Sequence, residues 1–192
     1  TVEQKAALTQ SQLDERAIAD KVRAMTQSQF ASLPADQMKY LSTEQLSAVT
    51  DAWWFSQIPA QSLQALSQAQ ISALPASIAG ASVGKLSTEQ ITWLNPPQIQ
   101  AVTPGYAIAD MIQKAPEFIT LITPGQLATF KDPYNIGRLI QTAGSHLSKE
   151  QFQAMPQSAL HAMTQAQVTA IPASVYDKIK DSLTATQQAW RP

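Results

Sequence analysis

Residues 25–49 read MTQSQFAS, LPADQMKY, LSTEQLSA and then Val49, three consecutive units of eight residues. The unit returns as IPAQSLQA and LSQAQISA from Ile58, as LSTEQITW and LNPPQIQA from Leu86, and as LSKEQFQA, MPQSALHA and MTQAQVTA from Leu147. Its consensus is apolar, cap, x, x, Gln, apolar, x, small. An α-helix turns about 100° per residue, so a period of eight drifts about 80° past two full turns and draws no stripe along one continuous helix. Broken at every unit, the same pattern works. Leu46 and Val49 are three apart and share a face, Ser42 is a good N-cap, and Gln45 three residues later completes a capping box. The pairs Thr26/Gln29, Ser67/Gln70, Ser87/Gln90, Ser148/Gln151 and Thr164/Gln167 repeat that spacing. Other units carry Pro34, Pro59, Pro75, Pro156 or Pro172 at the cap position and Pro96, Pro104 or Pro124 near it. Proline fits a first turn and ends whatever helix precedes it. The recurring glutamine reads as a capping residue that also bonds a neighbouring turn. The small residues closing the units (Ala48, Ala65, Ala73, Ala101, Ala154, Ala162, Ala170) read as seams where successive helices approach closely.

A longer repeat contains the octads. Residues 58–78 align without gaps with residues 155–175, at an offset of 97, with ten of 21 positions identical. The offset also pairs Leu86 with Leu183 and Trp93 with Trp190. The expected architecture is therefore all-α: a right-handed-type α-solenoid, or superhelix, of short capped helices. Two duplicated halves, 1–96 and 97–192, would stack end to end as one continuous domain. Four segments leave the octad and are expected as longer helices: 13–25, 109–122 interrupted by Pro116, 132–144 capped by Asp132, and 174–183 capped by Ser174. The counterpart of the last, 77–86, holds Gly80 and Gly84 and is expected to be the weaker helix.

Composition narrows the function. Charged residues make up 14% of the chain and the net charge is −1, so no basic stripe is available to neutralise phosphates, which argues against nucleic acid. No apolar run approaches the roughly 20 residues of a membrane span. Thr1 follows no charged-then-apolar leader, which fits either a mature chain or a piece of a longer one. There is no Cys, and His146 and His161 are unrelated under the repeat. A metal needs three or four converging ligands and a nucleophile needs an oriented base, so no cofactor, metal or catalytic residue is expected. Asp14 and Glu15 beside Arg16 read as a solvated helix face. The spacing Gly80-x-x-x-Gly84 reads as a weak signal of close helix contact.

The anomaly is Trp53-Trp54-Phe55, which displaces the cap-to-Gln stretch of a unit. Three consecutive large rings cannot all face one core, so at least one should be exposed, and exposed aromatics anchor interfaces. The expected partner-binding residues are Trp53, Trp54 and Phe55, with Tyr40 and Gln57 at the rim.

The units LSTEQLSAV, IPAQSLQAL, LSQAQISALP, LSTEQITWL and LNPPQIQAV resemble the short-helix region of the mesothelin–stereocilin–otoancorin family. They also resemble the ALTTxQIxAL octads of very large bacterial surface and secreted proteins. The first resemblance implies an armadillo-like superhelix involved in cell-surface attachment. The absence of Cys and the richness in Gln and Ala side with the bacterial proteins. Together they imply a non-enzymatic interaction or scaffold module of a bacterial secreted or cell-surface protein, binding a protein or glycan partner on a curved helical surface. The alternative is an effector, translocated into a host cell, that sequesters or remodels a host protein.

Overall fold

The computed structural model describes residues 10–191. Expectations that fall on residues 1–9 and on Pro192, the outer limits of both halves included, lie outside the described residues. Every regular element among the described residues is helical, with α-helices of 4 to 14 residues joined by 3-10 segments of 3 to 6. The caps fall where the octads put them. Ser42, Ser67, Ser87, Ser148 and Thr164 each hold extended backbone, and each side-chain oxygen accepts from the backbone N–H three residues on. Asn95, Thr123 and Thr184 do the same. Pro59, Pro75, Pro156 and Pro172 occupy the N-cap of α-helices. Pro96 and Pro124 lie inside the first turn.

A helix this short leaves nearly all its end groups without an internal partner. The octad glutamine supplies both ends. In each capping box Gln Oε1 accepts from the N-cap backbone N–H, as from Asn95 at 3.0 Å for Gln98. In six of the boxes the same carboxamide also points its Nε2 at two carbonyls 24 to 32 residues back along the chain, the preceding layer. Gln98 donates to Ile71 O at 2.9 Å and Leu74 O at 2.8 Å. Gln90 reaches Leu63 and Leu66, Gln126 reaches Ile99 and Val102, and Gln187 reaches Leu160 and Met163. Gln70 reaches Met38 and Leu41, and Gln151 reaches Ile119 and Ile122. The receiving carbonyls end the short helices one layer back. One side chain thus closes the start of its own helix and the end of another. These six glutamines are buried with Ser62 and Ser82, and no buried side-chain N or O among the described residues lacks a partner.

The apolar positions after each glutamine fill one continuous core: Leu46/Val49, Leu63/Leu66, Ile71/Leu74, Ile91/Leu94, Ile99/Val102, Phe152/Met155 and their equivalents are all buried. The second position of each box points the other way. Glu44, Ala69, Glu89, Pro97, Gly125, Glu150, Ala166 and Thr186 are all exposed.

Several expectations need correction. The units opening at Thr26 and Pro34 are 3-10 rather than α. The first long helix runs Gln10–Arg23. Segment 109–122 is two elements, an α-helix Gly105–Lys114 and a 3-10 helix Pro116–Leu121, because Pro116 cannot continue the hydrogen-bond pattern. Helix Pro133–Ala143 is capped by Asp132 as expected. The last long segment is capped by Pro172, not Ser174, and tightens into 3-10 geometry at Lys180–Ser182. Its counterpart has the same extent: Ala76–Ser82 followed by Val83–Lys85 matches it residue for residue. Packing overrides glycine's low propensity there, since a Cβ on Gly80 would stand 2.6 Å from Ala101 O, whereas Gly84 faces open space. Gly80 is a close-contact position and Gly84 is not. The unit-closing alanines are exposed or half-exposed rather than buried in seams. Several are C-caps, where the chain leaves the helix toward solvent.

Replacing Gln98 with Ala removes the acceptor of the Asn95 N–H and leaves the Leu74 carbonyl without a donor, while Ile71 O keeps the Leu74 N–H; the change lowers unfolding free energy by about 3 kcal/mol. Gln100→Ala, on the exposed side of the same helix, changes it by less than about 0.5 kcal/mol. Urea denaturation of the two variants beside the parent chain measures the difference.

Candidate functional site

The three rings of the anomalous unit sit on the helix Ala52–Ser56. Asp51 caps it, with Oδ1 accepting from Trp53 N at 2.9 Å and Trp54 N at 3.3 Å. Phe55 is buried, while Trp53 is 60% and Trp54 38% exposed. The two indoles meet edge to face, with centroids 4.5 Å apart and planes at 76°. The cause is positional. Counted from the cap, Trp53 holds the second position, which points outward in every octad box. Trp54 holds the third, where the bonding glutamine belongs. At the 97-residue offset Trp54 stands where Gln151 stands, and Phe55 where Phe152 stands. Trp54 has no bond of the kind Gln151 makes. Lys85 secures the other end of this helix, its Nζ donating to Ser56 O and, at 2.9 Å, to Ile58 O.

Gln57 adjoins the pair at the helix C-cap, with Nε2 3.2 Å from Ser56 Oγ and 3.4 Å from Trp53 O. Tyr40 is engaged elsewhere. Its segment, Ala35–Tyr40, packs on helix Gln10–Arg23, whereas the tryptophan helix packs on 27–32 and 76–82. The Tyr40 hydroxyl donates to Glu15 Oε1 at 2.7 Å, and Lys39 Nζ lies 3.0 Å from the same oxygen. The hydroxyl first, then the Lys39 bond and charge, hold the Glu15 carboxyl below the usual carboxylate range. Glu15 in turn raises Lys39 and Tyr40. Glu15 is therefore part of an exposed cluster rather than only a solvated carboxylate.

Two further rings share the geometry of Trp53. Tyr106 is the second residue of helix Gly105–Lys114 and Tyr134 the second of helix Pro133–Ala143, and they are 60% and 61% exposed. Tyr106 borders a cleft of about 450 Å³ with Gly105, Phe130, Lys131, Asp132 and Asn135. Tyr134 borders an adjoining cleft of about 330 Å³ with Asp132, Arg138, Gln141, Thr164 and Gln167. The helical-segment reading missed both tyrosines. The signal that finds them is the count from the cap, since an aromatic at the second position points to solvent. His146 and His161 are exposed, and among the described residues no group of three or more His, Cys, Asp or Glu is placed to hold a metal. No helix among the described residues is long and apolar enough to cross a membrane. No family model, curated protein or solved structure matches the chain.

Tyr40→Phe removes the largest cause of the Glu15 shift, so the Glu15 carboxyl titrates at higher pH than in the parent chain. Because a depressed carboxyl stabilises the folded chain above its unfolded pKa and loses that contribution as pH falls through the folded one, the variant loses it at higher pH. NMR titration of the Glu15 side-chain carboxyl reads the shift directly.

Proposed function

We propose that this chain is a non-enzymatic interaction module that binds a protein partner through Trp53 and Trp54. The reading rests on one observation: the fold sends the second position of each capped helix to solvent, and this chain spends that position on an indole at Trp53, with Trp54 beside it in place of a bonding glutamine. Neither ring serves the core that Phe55 completes. Large amphipathic rings of this kind supply contact area at low entropic cost and dominate interface energetics. Asp51 and Gln57 give the pair a polar rim.

The display scaffold in this proposal is an α-solenoid of two duplicated halves. Two regularities support it. The inter-layer glutamine bonds run a near-constant 24 to 32 residues back along the chain for the six fully buried glutamines. The elements from Pro59 to Trp93 also recur from Pro156 to Trp190, with Trp93 and Trp190 both half-buried C-caps. Gln90 and Gln187 extend the correspondence, because their carbonyl partners Leu63/Leu66 and Leu160/Met163 are themselves 97 residues apart. Residence in a bacterial secreted or cell-surface protein is supported by the resemblance of the octads.

Trp53→Ala is the test. With the chain as bait in a complex extract, proteins retained by the parent and lost from the variant identify the partner, and calorimetry then gives its affinity. The expected result is a loss of about 2 kcal/mol in binding with Tm lowered by less than about 4 °C. A large drop in Tm with unchanged binding per folded molecule would make the pair a packing feature and end the proposal.

A further inference from the structure

The two clefts beside Tyr106 and Tyr134 share no residue with the tryptophan surface. We propose that together they form an oligosaccharide-binding site, with one sugar ring stacked on each tyrosine.

The register of the two helices places the rings. Arg138 Nη1 lies 2.9 Å from Asp110 Oδ1, an ion pair between residues 28 apart in the chain. Arg138 also donates to the Gln113 side chain and lies over the Tyr134 ring, 5.6 Å from its centroid. Helices Gly105–Lys114 and Pro133–Ala143 pack directly on each other. Tyr106 and Tyr134 are again 28 apart, so they occupy the same level on neighbouring helices. Packed helices stand roughly 8–10 Å axis to axis, so the two tyrosines project from neighbouring helices onto adjoining clefts that share Asp132.

The clefts are built into the fold. Gly105 lies so close to Phe130 that a Cβ on it would stand 2.9 Å from the ring, and Phe130 itself is 1% exposed, giving the first cleft a fixed apolar floor. The second cleft opens where the glutamine bonding fails. Gln167 finds only Pro133 O, at 3.3 Å, because the residues one layer back form a long helix whose carbonyls are used internally. Its amide rests on Gly137, where a Cβ would stand 2.7 Å from Nε2.

The lining selects the ligand. One face of a pyranose presents several C–H bonds with slight positive charge, which complements the negative face of an aromatic ring. Its edge presents hydroxyls, each both donor and acceptor, which need mixed partners. The clefts offer the phenol hydroxyls of Tyr106 and Tyr134, the Lys131 ammonium and the amide oxygen of Asn135, none of which has a protein partner among the described residues. Asp132 bridges the two clefts. One of its oxygens accepts from Tyr134 N and the other from the Asn135 amide, so it is fixed in place with lone pairs to spare. Tyr106 and Tyr134 are the large exposed hydrophobic side chains of these clefts, and around them stand Thr129, Lys131, Asp132, Asn135, Gln141 and Thr164, side chains suited to a ligand rich in hydroxyls. Arg138 is already committed to Asp110, Gln113 and Tyr134, and the Lys131 ammonium stands in the same cleft as the Asp132 carboxylate, so the cleft carries both signs of charge rather than a cationic cluster.

The test uses the full chain, labelled with ¹⁵N, against cellotetraose, maltotetraose and chitotetraose, with glucose and N-acetylglucosamine as single-ring controls. At least one tetrasaccharide is expected to shift the amide resonances of Gly105, Tyr106, Lys131, Asp132, Tyr134 and Asn135, and its matching monosaccharide to bind at least about tenfold more weakly. Tyr106→Ala and Tyr134→Ala should each weaken the tetrasaccharide by at least about tenfold while Trp53→Ala leaves it unchanged, and both tyrosine variants should retain the parent Tm. The proposal is overturned if none of the three tetrasaccharides perturbs these resonances at millimolar concentration. It is equally overturned if binding survives both substitutions, or if a monosaccharide binds as tightly as its tetramer.

Discussion

A single carboxamide, at the third position of helices too short to stand alone, connects this molecule from layer to layer. An isolated helix of five or six residues is unstable in water because nucleation fixes several dihedrals for almost no hydrogen bonds. Here Gln Oε1 closes the cap of its own helix and Nε2 closes the open end of a helix one layer back. The interaction is one that glutamine can make and glutamate cannot. Both satisfy a capping box, but only the amide carries N–H groups to donate to buried carbonyls. The bond is also what sets neighbouring layers in register, since it is directional where the Leu, Ile and Val contacts beneath it are not.

Where the glutamine is absent, other donors do the same work. Lys114 Nζ donates to Leu86 O at 2.8 Å, Lys178 Nζ to Ser145 O at 3.2 Å, and Arg191 to Ile171 O. With Lys85, these are cations spent on backbone carbonyls, which leaves a sparsely charged chain still fewer groups for its surface. Exposed aromatics stand at two of the places that depart from the rule. At Trp54 the glutamine is replaced, and at Gln167 it is present but nearly unpartnered. A fold whose stability comes from a repeated local bond can depart from it in one or two places and use the released surface for recognition.

Much of this was legible because the decisive interactions are local. Ser87 and Gln90 are three apart, so the sequence alone identifies the box, the helix start and the buried pair Ile91/Leu94. The capping reading of the glutamines follows from the same count, and the exposure of at least one ring in Trp53-Trp54-Phe55 from the inability of three consecutive rings to face one core. What escaped was set by neighbours in space. The sequence of the Thr26 unit holds the same box as that of Ser42, yet one folds as 3-10 and the other as α. Gly80 reads as a weak point until the Ala101 carbonyl is seen to need its missing Cβ. Tyr134 belongs to a segment that reads simply as a helix and Tyr106 lies just ahead of one, and their relation at 28 residues becomes visible only once Asp110 and Arg138 meet.

The most direct measurement replaces one glutamine by its isostere. Gln90 is 1% exposed and donates to Leu63 O at 2.9 Å and Leu66 O at 3.0 Å. In Gln90→Glu the cap acceptor survives but a carboxylate faces two carbonyl oxygens with no water to screen it, which raises its folded pKa above the unfolded one. Ionisation then opposes folding, so the variant's deficit is greatest above the folded pKa and shrinks as pH falls through it toward the unfolded value of about 4.3. Equilibrium urea unfolding across that range should show a loss of about 3 kcal/mol at neutral pH, narrowing steadily on acidification relative to the parent. A variant as stable as the parent at neutral pH, with a parallel pH profile, would mean that the inter-layer amide bond does not hold the fold together.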